Sequence, residues 1–319
     1  MDRLTPNLHV VLISTYELGH QPFGLASPAA WLREAGAQVT CLDLAVERLD
    51  ESAIATADLV AFYVPMHTAT RLAANFVERV KRINPSVHLC FYGLYAPVNE
   101  EYLRGLGAGT ILGGEFEEGL VALVERLSAT DTQPSSRAQP DQTVSLTRQQ
   151  FLIPDRGQLP GLERYAHVKL PGGGSRVAGY TEASRGCKHL CRHCPIVPVY
   201  GGRFFVVQPD VVLEDIARQV AAGAEHITFG DPDFFNGPTH AMRIVQELHR
   251  QFPDLTYDVT IKVEHLLQHA KHLPGLRDTG CLFVTSAVEA VDDRILEIFD
   301  KRHTREEFVR AVALCREVG

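Results

Sequence analysis

The sequence predicts an α/β protein in two successive parts, an N-terminal doubly wound parallel sheet and a second β/α series behind it. Three observations carry this reading. Residues 8 to 127 alternate short apolar runs with amphipathic stretches at helical spacing. Residues 128 to 176 then shift to Ser, Thr, Gln, Pro and Gly, and the alternation resumes at Val177. With 319 residues, 45% of them hydrophobic, the chain is long enough for two cores.

The first part is expected to hold strands at His9 to Ser14, Gln38 to Asp43, Leu59 to Val64, Val87 to Tyr92 and Thr110 to Leu112. Ser27 followed by Pro28 reads as an N-cap with a first-turn proline, and Gly36 as the stop of that helix. Leu72, Ala73, Phe76, Val77 and Val80 mark one helix face, and Phe116, Leu120, Leu123, Val124 and Leu127 another. A sheet of this kind opens its ligand crevice at the carboxyl ends of its strands, where Tyr16 to Gly24, Pro65 to Thr70, Gly93 to Asn99 and Gly113 to Glu115 lie. The domain boundaries follow as 1–128, a linker over 129–176 that includes Gln133-Pro-Ser-Ser and Gly172-Gly-Gly-Ser, and 177–319. In the second part, strands are expected at Val177 to Ala183, His226 to Gly230, Thr256 to Lys262 and Leu282 to Ser286. A helix capped by Asp210 turns Leu213, Ile216, Ala217 and Val220 inward, and Thr304 with Glu307 forms a capping box for the closing helix.

The 39 acidic residues exceed the 31 basic ones, which removes the chain-wide positive field that nucleic acid or an anionic membrane would attract. No apolar run reaches the length of a membrane span, and the start MDRLTPNLHV is not a signal peptide. Seven cysteines, an odd number, argue for a reducing compartment and a cytoplasmic location.

Three of those cysteines crowd into Arg185-Gly186-Cys187-Lys-His-Leu-Cys191-Arg-His193-Cys194-Pro195, a C-x3-C-x2-C group directly after an expected strand. Three thiolates on one tight loop hold three irons of a cubane and leave the fourth open, whereas a self-sufficient cluster takes four cysteines. The competing readings are a zinc ion completed by His189 or His193, and three structural thiols. His189 is otherwise expected at the surface, and Cys41, Cys90, Cys281 and Cys315 as inert core thiols.

This motif resembles that of the radical S-adenosylmethionine (SAM) superfamily, in which an aromatic residue or His precedes the last Cys, here His193. The resemblance implies a 4Fe-4S cluster on Cys187, Cys191 and Cys194, with SAM chelating the open iron and being cleaved reductively to a 5′-deoxyadenosyl radical. It also implies a (β/α) barrel, here partial and ending after four units at Gly319 as if truncated. Phe229-Gly-Asp231-Pro-Asp233-Phe234 stands where the family contacts the methionine amino group, which assigns Asp231 to that contact. Lys262 then meets the carboxylate, and Ser286-Ala-Val-Glu289-Ala resembles the fourth-strand segment whose Glu reaches the ribose. Asp300-Lys-Arg302-His-Thr304 resembles Asn-Lys-Gly-His-Thr, with Arg302 in place of Gly.

The β/α domain in front is similar to the flavodoxin-like cobalamin-binding domain of one class of this superfamily, by Gln21-Pro-Phe-Gly through Gly36 and by Gly113-Gly-Glu-Phe-Glu-Glu118. D-x-H-x-x-G is absent, because His20 has the wrong spacing; His67, Met66 and Tyr95 are candidate lining residues. The implied activity is cobalamin-dependent methyl transfer or a related radical alkylation of a small molecule, peptide or cell-envelope intermediate, with flavodoxin or ferredoxin as electron donor. The alternatives are a cobalamin-independent radical SAM enzyme, such as an aminocarboxypropyl transferase, and a zinc-stapled ligand-binding protein.

Overall fold

The computed structural model describes residues 8–129 and 143–319, which form two compact units meeting at Pro160 and Gly161. In the first unit lie β1 (His9–Ser14), β2 (Gln38–Asp43), β3 (Leu59–Tyr63), β4 (His88–Tyr92), β5 (Thr110–Gly114) and β6 (Val144–Ser145). They make one parallel sheet in the order β2-β1-β3-β4-β5-β6. Its helices are α1 (Phe23–Glu34), α2 (Glu51–Thr56), α3 (His67–Ile83), α4 (Tyr95–Val98), α5 (Glu100–Gly105) and α6 (Glu117–Ser128).

The strands read as unbroken apolar runs because both sheet faces are covered. Val11, Ile13, Val60 and Phe62 pack with Ala73, Val77 and Val80 of α3. Their neighbours Val10, Leu12, Leu59 and Ala61 pack with Leu25, Ala29 and Leu32 of α1 and Leu120 and Leu123 of α6 on the other face. Since β1 sits between β2 and β3, the connections leave it in opposite directions, and the loops after β1 and β3 part to form the crevice rim.

The start of α1 differs from expectation. The helix begins at Phe23 behind Pro22, so Pro28 lies inside it, and Ser27 is buried with its hydroxyl donating to Glu117 Oε1 at 2.7 Å. An interior proline leaves the carbonyl four residues earlier without its donor. That carbonyl is Gly24 O, and the buried Tyr92 hydroxyl donates to it at 2.8 Å. Gly24 is itself required, since a Cβ there would meet the Tyr63 ring at 2.2 Å. We expect Tyr92→Phe to strand this buried carbonyl and destabilise the first unit by about 1 to 3 kcal/mol. Trp31, the single tryptophan of the chain, lies on the same helix and reports the transition by fluorescence in urea; an unchanged midpoint would contradict the assignment.

The segment expected as a linker is built into both units. Residues 133–136 lie outside the described residues, but β6 extends the first sheet, Gln149 Nε2 donates to Glu117 Oε2 at 2.9 Å, and Gln21 Nε2 donates to Pro160 O at 2.8 Å. Asp155 pairs with Arg33. Beyond Gly161, β7 (His167–Lys169) pairs antiparallel with β8 (Ser175–Thr181), and Gly172, Gly173 and Gly174, all at positive φ, make the turn between them. Hydrogen bonds join a few buried apolar side chains, Phe151, Leu162 and Tyr165 among them, in fastening this polar segment.

The second unit continues with β9 (Ser184–Gly186), β10 (Phe204–Val206), β11 (His226–Phe229), β12 (Thr256–Thr260) and β13 (Cys281–Thr285). Strands β8, β11, β12 and β13 run parallel in the order β8-β11-β12-β13, with β7 on the outer side of β8. This is the partial (β/α) barrel, with α7 (Ile196–Tyr200), α8 (Pro209–Ala221), α9 (Pro238–Gln251), α10 (Val263–Gln268), α11 (Leu273–Asp278), α12 (Asp293–Ile298) and α13 (Arg305–Val318). Thr304 and Glu307 form the expected capping box.

Helix α8 departs from its expected register. Pro209 occupies its first turn, Gln208 precedes it without a side-chain cap, and the buried positions are Val212, Asp215, Ile216 and Gln219. The face is turned by hydrogen bonding: Thr181 Oγ1 donates to Asp215 Oδ2 at 2.8 Å and Tyr180 N–H to Gln219 Oε1 at 2.9 Å. Two buried polar side chains thus take places that hydrophobic periodicity gave to Leu213 and Ala217. Among the described residues, no helix is long and apolar enough to cross a membrane.

Candidate functional site

Parallel register sets the site. Thr181 pairs with Phe229 and Thr260 with Thr285, so the four strands end level and the residues just beyond them share one edge. At that edge stand the cysteine loop, Asp231, Lys262 and Ser286.

The cysteine loop is held at both ends. Gly186 closes β9 at φ +72, and a Cβ on it would meet Arg203 O at 2.4 Å, so the β9–β10 hairpin (Phe204 opposite Gly186) admits only glycine there. Within the loop, Lys188 N–H donates to Asn236 Oδ1 at 3.2 Å, Lys188 Nζ to Asn236 O at 2.6 Å, and Arg192 N–H to Phe299 O at 3.0 Å. All seven cysteines are free thiols; Cys191 is buried and Cys187 and Cys194 are half-buried. Burial pushes the Cys187 and Cys194 thiols up, partly opposed by backbone N–H groups and, at Cys187, by Asn236. Metal binding at this loop therefore releases protons. A single tetrahedral ion needs four ligand atoms crowded around it, and the loop offers three thiolates. Three thiolates suit a cluster, whose irons are ligated one cysteine each. Among the remaining thiols, burial pushes Cys41 and Cys281 up to about 12, which keeps them unreactive.

Two of the expected cosubstrate contacts come together. His193 Nε2 lies 3.2 Å from Glu289 Oε1, and Lys301 Nζ stands 3.6 Å from the same oxygen. Glu289 has φ +69, in the left-handed region that non-glycine residues rarely adopt. His193 also packs on Phe299 at 5.0 Å between ring centroids. Ser286 does not join them: its buried Oγ has no partner, and the residue lines a cavity of about 490 Å³ with Val263, Leu266, Val284 and Phe308.

Asp231 and Lys262 are engaged by the protein. Asp231 is 2% exposed; it accepts from Ala183 N–H at 2.9 Å and from the Ser184 hydroxyl, and so ties the end of β11 to the strand that leads into the cysteine loop. Burial pushes its carboxyl up to about 7 despite those two donors. Lys262 Nζ lies 3.1 Å from His189 Nδ1 and 3.1 Å from Glu264 Oε2.

His189 is not at the surface. It is 7% exposed, because the loop folds back over the ends of β11 and β12 and sets this ring beside Asp233, Lys262 and His265. The sequence reading missed Asn236, Lys301 and His265. Lys301 sat within a motif already quoted, and His265, His269 and His272 recur at spacings of four and three, a signal for one helical side that went unused.

In the first unit the crevice rim carries accessible apolar side chains. Leu18 is 63% and Val98 41% exposed, with Met66 and Tyr95 half-buried and His67 exposed. Leu18 and Gly19 both take positive φ, and nothing lies within 4 Å of where a Gly19 Cβ would stand. These side chains are accessible at the edge where a parallel sheet of this kind binds ligands.

The Radical SAM superfamily model matches residues 181–319, and the B12 binding domain model matches residues 9–124. The chain is 25% identical to the hopanoid C-3 methylase of Methylococcus capsulatus over 94% of its own length, and spans 59% of that protein. It is 21% identical to an uncharacterized methyltransferase of Pyrococcus horikoshii, covering 93% of this chain and 67% of the relative. Among solved structures, the radical SAM methyltransferase TsrM from Kitasatospora setae, with cobalamin and a [4Fe-4S] cluster bound, superposes with a TM-score of 0.70 at 18% identity; 98% of this chain and 65% of that one are covered. The cobalamin-dependent SAM radical enzyme OxsB, with aqua-cobalamin and SAM bound, gives 0.66 at 14% identity, covering 97% of this chain and 48% of that one.

Proposed function

We propose that this chain, which belongs to the radical SAM superfamily and carries a B12-binding domain ahead of its radical SAM domain, is a cobalamin-dependent enzyme of methyl transfer or related radical alkylation. The observation that carries the reading is the pairing of a three-cysteine loop at the carboxyl edge of the partial barrel with an apolar-rimmed parallel sheet in front. The likeness to a hopanoid methylase supports methyl transfer to a small molecule.

Cys187, Cys191 and Cys194 would hold a 4Fe-4S cluster, and the rim of the first unit a cobalamin. When bound, the cluster supplies an electron to SAM and the corrinoid a methyl group, while the protein supplies binding, orientation and shielding. An electron donor of the flavodoxin or ferredoxin type would serve the cluster.

Glu289, held between His193 and Lys301, is the acceptor we assign to the ribose hydroxyls. Its partners keep one oxygen oriented and leave the other for the ligand. Ser286, whose buried hydroxyl has no partner, is assigned to cosubstrate contact, and Lys262 to the carboxylate once it leaves Glu264. Asp231 acts as a positioning residue, because both its oxygens serve Ala183 and Ser184.

The test is retention of both metals. The full chain, reconstituted anaerobically with iron and sulfide, should carry about four irons. After incubation with hydroxocobalamin and desalting it should keep equimolar cobalt. His20→Ala should leave the cobalt spectrum unchanged, since His20 lacks the spacing of a lower ligand. Iron without retained cobalt would demote methyl transfer below a cobalamin-independent reaction.

A further inference from the structure

Between the cysteine loop and the ends of β11 and β12 lies a buried group of side chains that the reading above leaves without a task. His189, Asp233 and His265 are 7%, 2% and 9% exposed. One ligand atom from each, among the described residues, falls in a set whose members all lie within 4.8 Å of one another. His265 Nδ1 stands 2.7 Å and His189 Nε2 3.4 Å from Asp233 Oδ2.

These same three atoms are buried without a hydrogen-bond partner. The separations are short, but the ring nitrogens are not aligned with Oδ2 for a well-formed hydrogen bond, so the three atoms face one another in the interior without one. Three orphaned donor atoms together would each carry a desolvation cost unless a cation stood among them.

We propose that His189, Asp233 and His265 form a second metal site, separate from the cysteine loop, which takes a divalent transition-metal ion of the zinc type and pins that loop to the strand edge. Two imidazoles and one carboxylate are a ligand set that zinc and ferrous iron accept. Metal–nitrogen and metal–oxygen bonds of about 2.0 to 2.2 Å place ligand atoms about 3 to 3.5 Å apart. The His189–Asp233 separation lies in that range, and the His265–Asp233 separation is shorter.

The surroundings are arranged to match. Asp233 Oδ1 accepts from Phe235 N–H at 3.2 Å, which fixes the carboxylate and leaves Oδ2 for the ion. Ligation of Nε2 puts the His189 proton on Nδ1, where Glu264 Oε2 at 3.6 Å can accept it and Lys262 Nζ, at 3.1 Å from Nδ1, turns away. Lys262 Nζ is matched by Glu264 at 3.1 Å until it turns to the cosubstrate carboxylate as assigned above, which frees Glu264 for His189. Asp233 then has no Lys or Arg at ion-pair distance among the described residues, and its charge is left for the cation. The three ligands come from three segments far apart in sequence, so an ion there closes two long loops and fastens the loop that carries the cysteines.

The experiment uses the untagged full chain loaded with iron and sulfide, then dialysed against zinc, desalted and assayed for both metals by mass spectrometry. Equimolar zinc is expected beside the iron. His265→Gln should weaken zinc binding about 100-fold with iron content unchanged. His269→Ala should keep the zinc, because that ring only packs on His265 at 5.4 Å. A second measurement uses the chain with Cys187, Cys191 and Cys194 all replaced by Ala, titrated with cobalt(II): ligand-field absorption should develop and be lost in Asp233→Asn. Absence of zinc in the iron-loaded chain, or zinc and cobalt binding indifferent to His265→Gln and Asp233→Asn, would overturn the site. Loss of the cluster in the cysteine variant tests the reaction assigned above and leaves this site to be judged on its own metal.

Discussion

Replacing Cys187, Cys191 or Cys194 by Ala should reduce the iron of the reconstituted chain from about four to near background and abolish the thiolate-to-iron absorption, because each supplies a ligand that nothing nearby can replace. The other cysteines offer no substitute: Cys41 and Cys90 are buried in the first core, and Cys281 stays protonated by burial. Glu289→Ala separates the cluster from the cosubstrate. It should keep its iron and bind SAM about ten-fold more weakly, the loss expected for one charge-assisted hydrogen bond. Anaerobic iron assay with equilibrium dialysis of labelled SAM measures both. A triple-cysteine variant with full iron, or Glu289→Ala with unchanged affinity, would remove the basis of the site.

Asp231 should make the second unit less stable as pH rises. Its native carboxyl titrates at about 7, above the 3.8 of a free aspartate, because burial outweighs the help of Ser184 and Ala183. A carboxyl raised in the native state holds its proton there after the unfolded chain has lost it, so stability falls between pH 3.8 and about 7 and stays level above that. At about 1.4 kcal/mol for each pKa unit, the group removes about 4 kcal/mol over that window. Asp231→Asn keeps an acceptor for Ala183 N–H and offers an amide to the Ser184 hydroxyl without a charge to desolvate. It should flatten the slope and protect the β9 and β11 amides at pH 8. Hydrogen exchange at pH 5 and pH 8 measures this locally, with Trp31 fluorescence as an internal control from the other unit. Parallel pH slopes in the two proteins would refute it.

Much of this architecture was written in local sequence. Strand β1 carries the apolar run Val10–Ile13, because a central strand covered on both faces demands such a run, and the edge strand β2 keeps the bounds read from its sequence. The cysteine triplet needed only spacing, since one short loop carries all three ligands. The capping box at Thr304 is likewise a contact between residues three apart.

What local sequence could not decide were contacts between distant segments. Pro28 reads as a helix start until Tyr92, 64 positions later, is seen supplying the donor that the proline removes. The inward face of α8 is set by Thr181 and Tyr180 on a neighbouring strand, whose hydrogen bonds outrank the apolar period. Asp231 reads as a ligand contact until its oxygens are found on Ala183 and Ser184. His189 reads as a solvated loop residue until the fold closes Asp233 and His265 around it. Periodicity and spacing are properties of a segment and survive in the linear chain. Burial and the partner of a polar atom belong to segments that meet only on folding, and it is these that turned the loop histidine into a candidate ligand and the strand-end aspartate into a tie.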